Sequence, residues 1–211
     1  KEFYKRDNLN SEIIVPFCPE SKLSGVSNVD FMNCVWYKRS FNLPETFKNK
    51  RIIIHCGAVD YYASVYINGK MAGEHKGGYT SFSIDITSFV TEGQNTVTVC
   101  AEDIKNENKA TGKQSAKYLS SGCFYTRTTG IWQTVWLEAV GSTYVENFYT
   151  YADIENSFVT VRIKLNGDYK NKMITGDVSF DGKAVGGVHV CAKSANVYMT
   201  IPLSELHLWD I

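Results

Sequence analysis

Residues 57–87 read GAVDYYASVYINGKMAGEHKGGYTSFSIDIT, and the order strand, tight turn, loop, strand in this stretch decides the fold. Ala63–Asn68 sets Val65 and Ile67 in alternation with Ser64 and Tyr66, the period of a half-buried strand. Asn68-Gly69 follows at once; both residues tolerate the left-handed backbone that a two-residue hairpin turn requires. Gly77-Gly78 precedes Tyr79 and marks a place where backbone bends sharply or approaches another surface. Phe82–Ile86 then reads as a further strand.

Outward from there the pattern repeats. Strands are expected near Val35–Leu43, Arg51–Val59, Thr96–Glu102 and Ile131–Val140. Five more follow near Val145–Ala152, Phe158–Asn166, Thr175–Phe180, Val185–Cys191 and Val197–Leu203. Asp181-Gly182 is a second hairpin signal, and Glu92-Gly93 and Asn166-Gly167 mark turns. No amphipathic helix of three turns stands out. Short strands at near-regular spacing predict an all-β chain of sandwiches or barrels. Asp103–Gly122 is the exception, a long polar stretch of the kind that is functional or mobile. The seam between two domains is expected near Gly141–Tyr144, leaving about eight strands before it, a jelly-roll-sized number. Residues 143–211 hold five strands, fewer than the roughly seven of an immunoglobulin-like sandwich.

Hydrophobic residues at 44% provide for a core, and 22 basic residues balance 22 acidic ones. That balance argues against nucleic acid or an anionic membrane as partner, since both call for a basic excess. Neutral sugars or an apolar protein surface fit better. No apolar run approaches the roughly 18 residues of a membrane span. The polar start, Lys1 to Asn10, lacks the layout of a secretory signal. The compartment stays open between cytoplasm and periplasm or exterior. Cys18, Cys34, Cys56, Cys100, Cys123 and Cys191 form no C-x-x-C pair and no metal-type spacing with histidine. They are expected as free thiols, Cys56 and Cys100 inside apolar strands, and no metal or cofactor is expected.

Cleavage of a glycosidic bond generally needs two flanking carboxyl groups, and no pair stands out. Asn106-Glu107 sits in the polar loop without a strand to deliver it. Glu102 and Asp103 are neighbours on a strand end and face opposite ways. No Ser occupies a G-x-S-x-G elbow beside His55, His75, His189 or His207, and no phosphate-binding glycine loop occurs. His55 reads as a satisfied strand histidine and His75 as a loop residue after a hairpin. Aromatic side chains able to face the C–H surface of a sugar gather at loop positions: Tyr61, Tyr62, Tyr79, Phe82, Tyr118, Phe124 and Tyr125. Arg127 falls on the side of Tyr125 if that segment is extended. Trp132 and Trp136 read as core residues on one face of a single strand.

Four ordered segments together resemble glycoside hydrolase family 2, the family of β-galactosidases, β-glucuronidases and β-mannosidases. They are VPFCPESKLSG (Val15 to Gly25), VWYKRSFNLP (Val35 to Pro44), the Gly57 to Thr87 stretch quoted above, and GCFYTRTTGIWQTVWLE (Gly122 to Glu138). The resemblance implies a jelly-roll sugar-binding domain over residues 1–142, then an immunoglobulin-like sandwich over 143–211. LHLWDI (Leu206 to Ile211) looks like a segment that the family places within that sandwich, so the sandwich is expected to be cut short. The catalytic (β/α)8 barrel with its two glutamates would lie beyond it. In the family a loop just before the S-G-I segment reaches the active site, often with an Asp against the sugar. Cys123 and Phe124, then Tyr125, Thr126 and Arg127 occupy the matching positions here.

The resemblance therefore implies the non-catalytic N-terminal portion of a retaining exo-β-glycosidase, with no catalytic residue of its own. Phe124, Tyr125 and Arg127 are its substrate-contact candidates, a β-linked sugar its ligand, and the C-terminal barrel its partner. A stand-alone carbohydrate-binding module and a purely structural scaffold are the alternatives. An incomplete sheet leaves an open edge, through which self-association into a homo-oligomer is expected.

Overall fold

A computed structural model describes residues 2–104 and 108–209; Asn106 and Glu107 lie outside them, as do the last two residues of LHLWDI. Among the described residues there are fourteen strands and no α-helix, only single 3-10 turns at Phe3–Lys5, Lys22–Ser24 and Glu45–Phe47. The chain divides into two compact units, Lys1–Ala139 and Val140–Ile211.

The first unit contains β1 (Cys34–Asn42), β2 (Arg51–Cys56), β3 (Val59–Asp60), β4 (Tyr62–Ile67), β5 (Lys70–Lys76), β6 (Phe82–Asp85), β7 (Gln94–Glu102), β8 (Gly130–Ile131) and β9 (Val135–Val140). One sheet runs β1-β7-β4-β5, a second β6-β2-β9, and β3 pairs with β8. Strand β4 shows how the sequence builds the sandwich. Ala63, Val65 and Ile67 are buried on one face while Tyr62, Ser64 and Tyr66 stay partly open, the period of two read from the sequence. Val65 and Val99 of the first sheet share a core with Cys56 of the second and with Val59 and Ile131. Ile52, Ile54, Ile67 and Ile86 form an adjoining cluster. Each such aliphatic side chain contributes roughly 1.5–3 kcal/mol of burial.

The Asn68-Gly69 turn joins β4 to β5, with φ of 50° and 74°, the left-handed pair of a tight hairpin. Asn68 also anchors the turn: Nδ2 donates to the Phe89 carbonyl at 2.9 Å and to Asn95 Oδ1 at 2.8 Å, while Oδ1 accepts from the Thr96 amide at 2.9 Å. Space is open around Gly69, so Gly69→Ala meets only the backbone penalty. It is expected to cost about 1 kcal/mol, measured by chemical denaturation.

Two features depart from the sequence expectation. Strand β5, whose residues are KMAGEHK, is not signalled by apolar alternation because it is the edge of its sheet, where charged side chains suit a solvent-facing strand. His75 therefore lies in a strand and not in a loop. Second, the expected strand Ile131–Val140 is broken at 132–134, where Trp132 N–H reaches the Ala58 carbonyl and Gly57 N–H the Thr134 carbonyl. The break puts Trp132 and Trp136 in different surroundings, so they share no core face. Trp136 is 46% exposed and stacks on His55 at 4.8 Å.

The second unit contains β10 (Thr143–Asp153), β11 (Phe158–Gly167), β12 (Met173–Phe180), β13 (Lys183–Cys191) and β14 (Asn196–Pro202). A three-stranded sheet β10-β11-β14 faces the hairpin β12-β13 across Ile163, Leu165, Ala192, Val197 and Met199. Gly176 lets β12 approach closely, since a Cβ there would meet Met199 Cε at 2.8 Å. Phe148, Tyr149, Tyr151 and Tyr198 remain exposed on this unit.

Candidate functional site

The first unit carries a cavity of about 190 Å³ lined by Asp60, Tyr79, Gln114, Tyr125, Thr128 and Trp132. Asp60 closes β3, opposite Gly130 of β8, and is only 3% exposed. The Gly77-Gly78 segment passes directly over its carboxylate; a Cβ on Gly78 would collide with both Oδ1 and Cγ of Asp60. That close approach is what the glycine pair permits. Trp132 Nε1 donates to the Gly78 carbonyl at 2.8 Å and holds the segment in place.

Gln114 orients the site. Its Oε1 accepts from the Thr128 amide at 3.0 Å, which leaves Nε2 to donate to Asp60 Oδ2 at 2.9 Å. The Tyr79 hydroxyl lies 3.5 Å from the same Nε2 and is hydrogen-bonded to Tyr125. Tyr79 and Trp132 meet edge to face at 6.0 Å. The wall is thus aromatic, with one carboxylate and one amide pointing into it.

Burial pushes the Asp60 carboxyl up to about 6; the hydrogen bond from Gln114 opposes the shift, the Asp103 charge adds to it, Lys109 opposes it, and Glu20 adds a smaller rise. Lys109 itself pairs with Asp103. Glu20 is a second buried acid, raised by its own burial, and its Oε2 accepts from the Thr129 amide at 3.3 Å. The Tyr79 phenol is also raised, chiefly by burial.

The segment before Gly130 is placed by Arg127, 9% exposed. Its Nη1 donates to the carbonyls of Lys117 and Ser115, and its Nη2 to those of Val29 and Tyr118. The guanidinium also lies 4.0 Å over the Phe31 ring. Ser115 N–H to the Tyr125 carbonyl at 2.7 Å and Tyr125 N–H to the Lys113 carbonyl at 3.0 Å complete the brace. Of the three contact candidates, Tyr125 (46% exposed) lines the cavity, Phe124 is exposed outside its wall, and Arg127 faces inward onto backbone.

Sequence reasoning did not select Asp60, Gln114 or Thr128, and it put Trp132 in the core. The available signal was an acid closing an apolar strand run at Val59-Asp60, followed by a glycine pair. His55 bridges Ser83 Oγ at 2.7 Å and Glu138 Oε2 at 2.9 Å and so is satisfied on both ring nitrogens.

Chemically the cavity can hold a neutral polyol: aromatic faces for C–H surface, and a carboxylate, an amide and phenols for hydroxyls. Asp60 is the one acid among the lining residues, so the cavity wall does not supply the pair that glycosidic hydrolysis needs.

The sequence profile for "Glycosyl hydrolases family 2, sugar binding domain" matches residues 23–140. A β-galactosidase of Thermoanaerobacter pseudethanolicus is 31% identical over 137 residues, which are 64% of this chain and 18% of that protein. A β-glucuronidase of Canis lupus familiaris is 24% identical over 201 residues, 85% of this chain and 30% of that protein. The solved structure of a β-glucuronidase from glycoside hydrolase family 2 superposes with a TM-score of 0.73 at 20% identity, covering 99% of this chain and 25% of the other. The chain thus spans less than a third of either of these curated relatives. No helix among the described residues is long and apolar enough to cross a membrane.

Proposed function

The chain belongs to glycosyl hydrolase family 2 through the sugar-binding domain at residues 23–140, and from that membership we propose that it is the non-catalytic N-terminal portion of a retaining exo-β-glycosidase. In this reading residues 1–142 are the jelly-roll sugar-binding domain and residues 143–211 a shortened immunoglobulin-like sandwich. A catalytic barrel, supplied by the longer protein, carries the acid and the nucleophile. The relatives' names, β-galactosidase and β-glucuronidase, give the substrate class as a β-linked sugar or uronic acid.

The observation that carries the reading is the cavity itself. A single oriented carboxylate, Asp60, sits among Tyr79, Tyr125 and Trp132, which suits binding a sugar and not cleaving it. Asp60 and Tyr125 are the contacts in this reading, with Arg127 holding Tyr125 from behind and Phe124 at the outer rim. The exposed aromatics of the second unit, Phe148, Tyr149, Tyr151 and Tyr198, support a further protein surface packing there.

The test has two parts. The isolated chain, assayed at high concentration on chromogenic aryl β-glycosides, is expected to release nothing. In the full-length parent, Asp60→Asn and Tyr125→Ala are each expected to lower kcat/KM by about tenfold or more, roughly 1.4 kcal/mol of transition-state binding. Turnover by the repurified isolated chain would overturn the proposal. So would parent kinetics unmoved by both substitutions.

A further inference from the structure

Away from the sugar cavity, the end of the first sheet brings two thiols and a carboxylate together. Cys34 opens β1, while Cys100 and Glu102 end β7. The antiparallel register sets Cys34 opposite Glu102 and Trp36 opposite Cys100. Residues two apart on a strand share a face, so Cys100 and Glu102 point the same way and Cys34 joins them from the neighbouring strand. The two Sγ atoms are 3.4 Å apart, and Cys100 Sγ lies 4.0 Å from Glu102 Oε1. All three ligand atoms fall within 4.8 Å of one another, with Cys100 buried and Cys34 and Glu102 exposed. Sequence spacing hid this group because Cys34 lies 66 residues before Cys100.

Two chemistries use a close pair of thiols, and the register separates them. A disulfide needs Cβ atoms about 3.5–4.5 Å apart. Cys34 and Cys100 are diagonal partners, and diagonal Cβ atoms on adjacent strands stand roughly 6–7 Å apart, so a disulfide would pull the strands together. A tetrahedral zinc with Zn–S bonds of about 2.3 Å instead asks for sulfurs roughly 3.8 Å apart, and for a sulfur-to-carboxylate edge of roughly 3.5 Å. The Sγ–Sγ separation of 3.4 Å and the Cys100 Sγ–Glu102 Oε1 separation of 4.0 Å each differ from those by about half an ångström or less, within the reach of small side-chain rotations. The edge from Cys34 Sγ to the Glu102 carboxylate stays within 4.8 Å.

We propose that Cys34, Cys100 and Glu102 form a three-ligand site for a thiophilic divalent cation of the zinc type, with water completing the tetrahedron on the exposed side. Thiolate ligands select such an ion over magnesium or calcium, which prefer all-oxygen shells. Bound there, the ion clamps the first residue of β1 to the last residues of β7.

The proposal is tested by titrating the reduced, chelator-stripped chain with Co2+ as a spectroscopic probe, and with Zn2+ in competition with a chromogenic chelator. One equivalent of Co2+ is expected to give a thiolate charge-transfer band that Zn2+ abolishes. Cys34→Ser changes an exposed residue and keeps the fold, as circular dichroism will check. It is expected to lower Zn2+ affinity by more than about a hundredfold, beyond what loss of a supporting contact costs. Glu102→Gln is expected to lower it by about tenfold. Combined replacement of Cys18, Cys123 and Cys191 by Ser is expected to leave binding intact. Absence of the thiolate band in the reduced wild-type chain overturns the proposal, as does binding that survives Cys34→Ser.

Discussion

Replacing Arg127 with alanine is expected to destabilise the first unit by about 3–4 kcal/mol and to release the segment that carries Tyr125. The guanidinium serves four carbonyls, three from the loop (Ser115, Lys117 and Tyr118) and one from Val29 on a separate segment. Each buried acceptor left unmet costs about 1–3 kcal/mol, and water entering the hole recovers part of that. The stacking of the guanidinium on Phe31 is lost as well. Lysine is expected to restore less than half of the stability, because an ammonium lacks the planar fork that spans two carbonyl pairs. Denaturant unfolding gives the energy, and amide hydrogen exchange over residues 113–126 reports the release. A loss below about 1 kcal/mol with unchanged exchange would show that the brace is dispensable.

Asp60→Asn is expected to act in the opposite direction, stabilising the chain at neutral pH. In the folded state the carboxyl titrates at about 6 against an ordinary value of 3.8. A carboxyl whose folded value is raised binds its proton more tightly when folded, so stability falls as pH rises from about 4 to about 6 and then levels off. The full penalty above pH 6 is on the order of 3 kcal/mol. Asparagine keeps the shape and still offers an oxygen to Gln114 Nε2, but it carries no charge to desolvate. The variant should therefore exceed wild type by about 2–3 kcal/mol at pH 7.5 and converge with it below pH 4. Unfolding curves at pH 4, 5.5 and 7.5 decide the matter, and an advantage that does not vary with pH would place its cause elsewhere. Greater stability of this variant, taken with the loss of kcat/KM proposed for it above, would be the signature of a functional group kept at a cost to stability.

The periodicity of β4 and the Asn68-Gly69 turn were legible because both are local: alternation and a left-handed pair are written in consecutive residues. The family resemblance, carried by four ordered segments, is supported by the profile match over residues 23–140. The β5 edge was not legible, since a solvent-facing strand has no apolar face to announce it. Nor was the break at 132–134, which follows from hydrogen bonds to Gly57 and Ala58, some 75 positions away in the chain. The same limit applied to the site. Tyr125 was reachable from composition and from the family loop, but Asp60 is selected only by the glycine backbone that covers it. Arg127 looked like a sugar ligand because an arginine beside a tyrosine suits that task. Only the positions of four carbonyls reveal which way it faces.

Arg127 and Tyr125, two residues apart, divide the loop between an inward tether and an outward tip. A loop fastened by one side chain to backbone carbonyls depends little on the identity of the residues at its tip, because carbonyls are common to every amino acid. Substitutions at Phe124 and Tyr125 can therefore accumulate without eroding the fold, provided the arginine stays. The loop behaves as an interchangeable fitting on a fixed mount, whose tip a lineage can re-dress while its scaffold stands still.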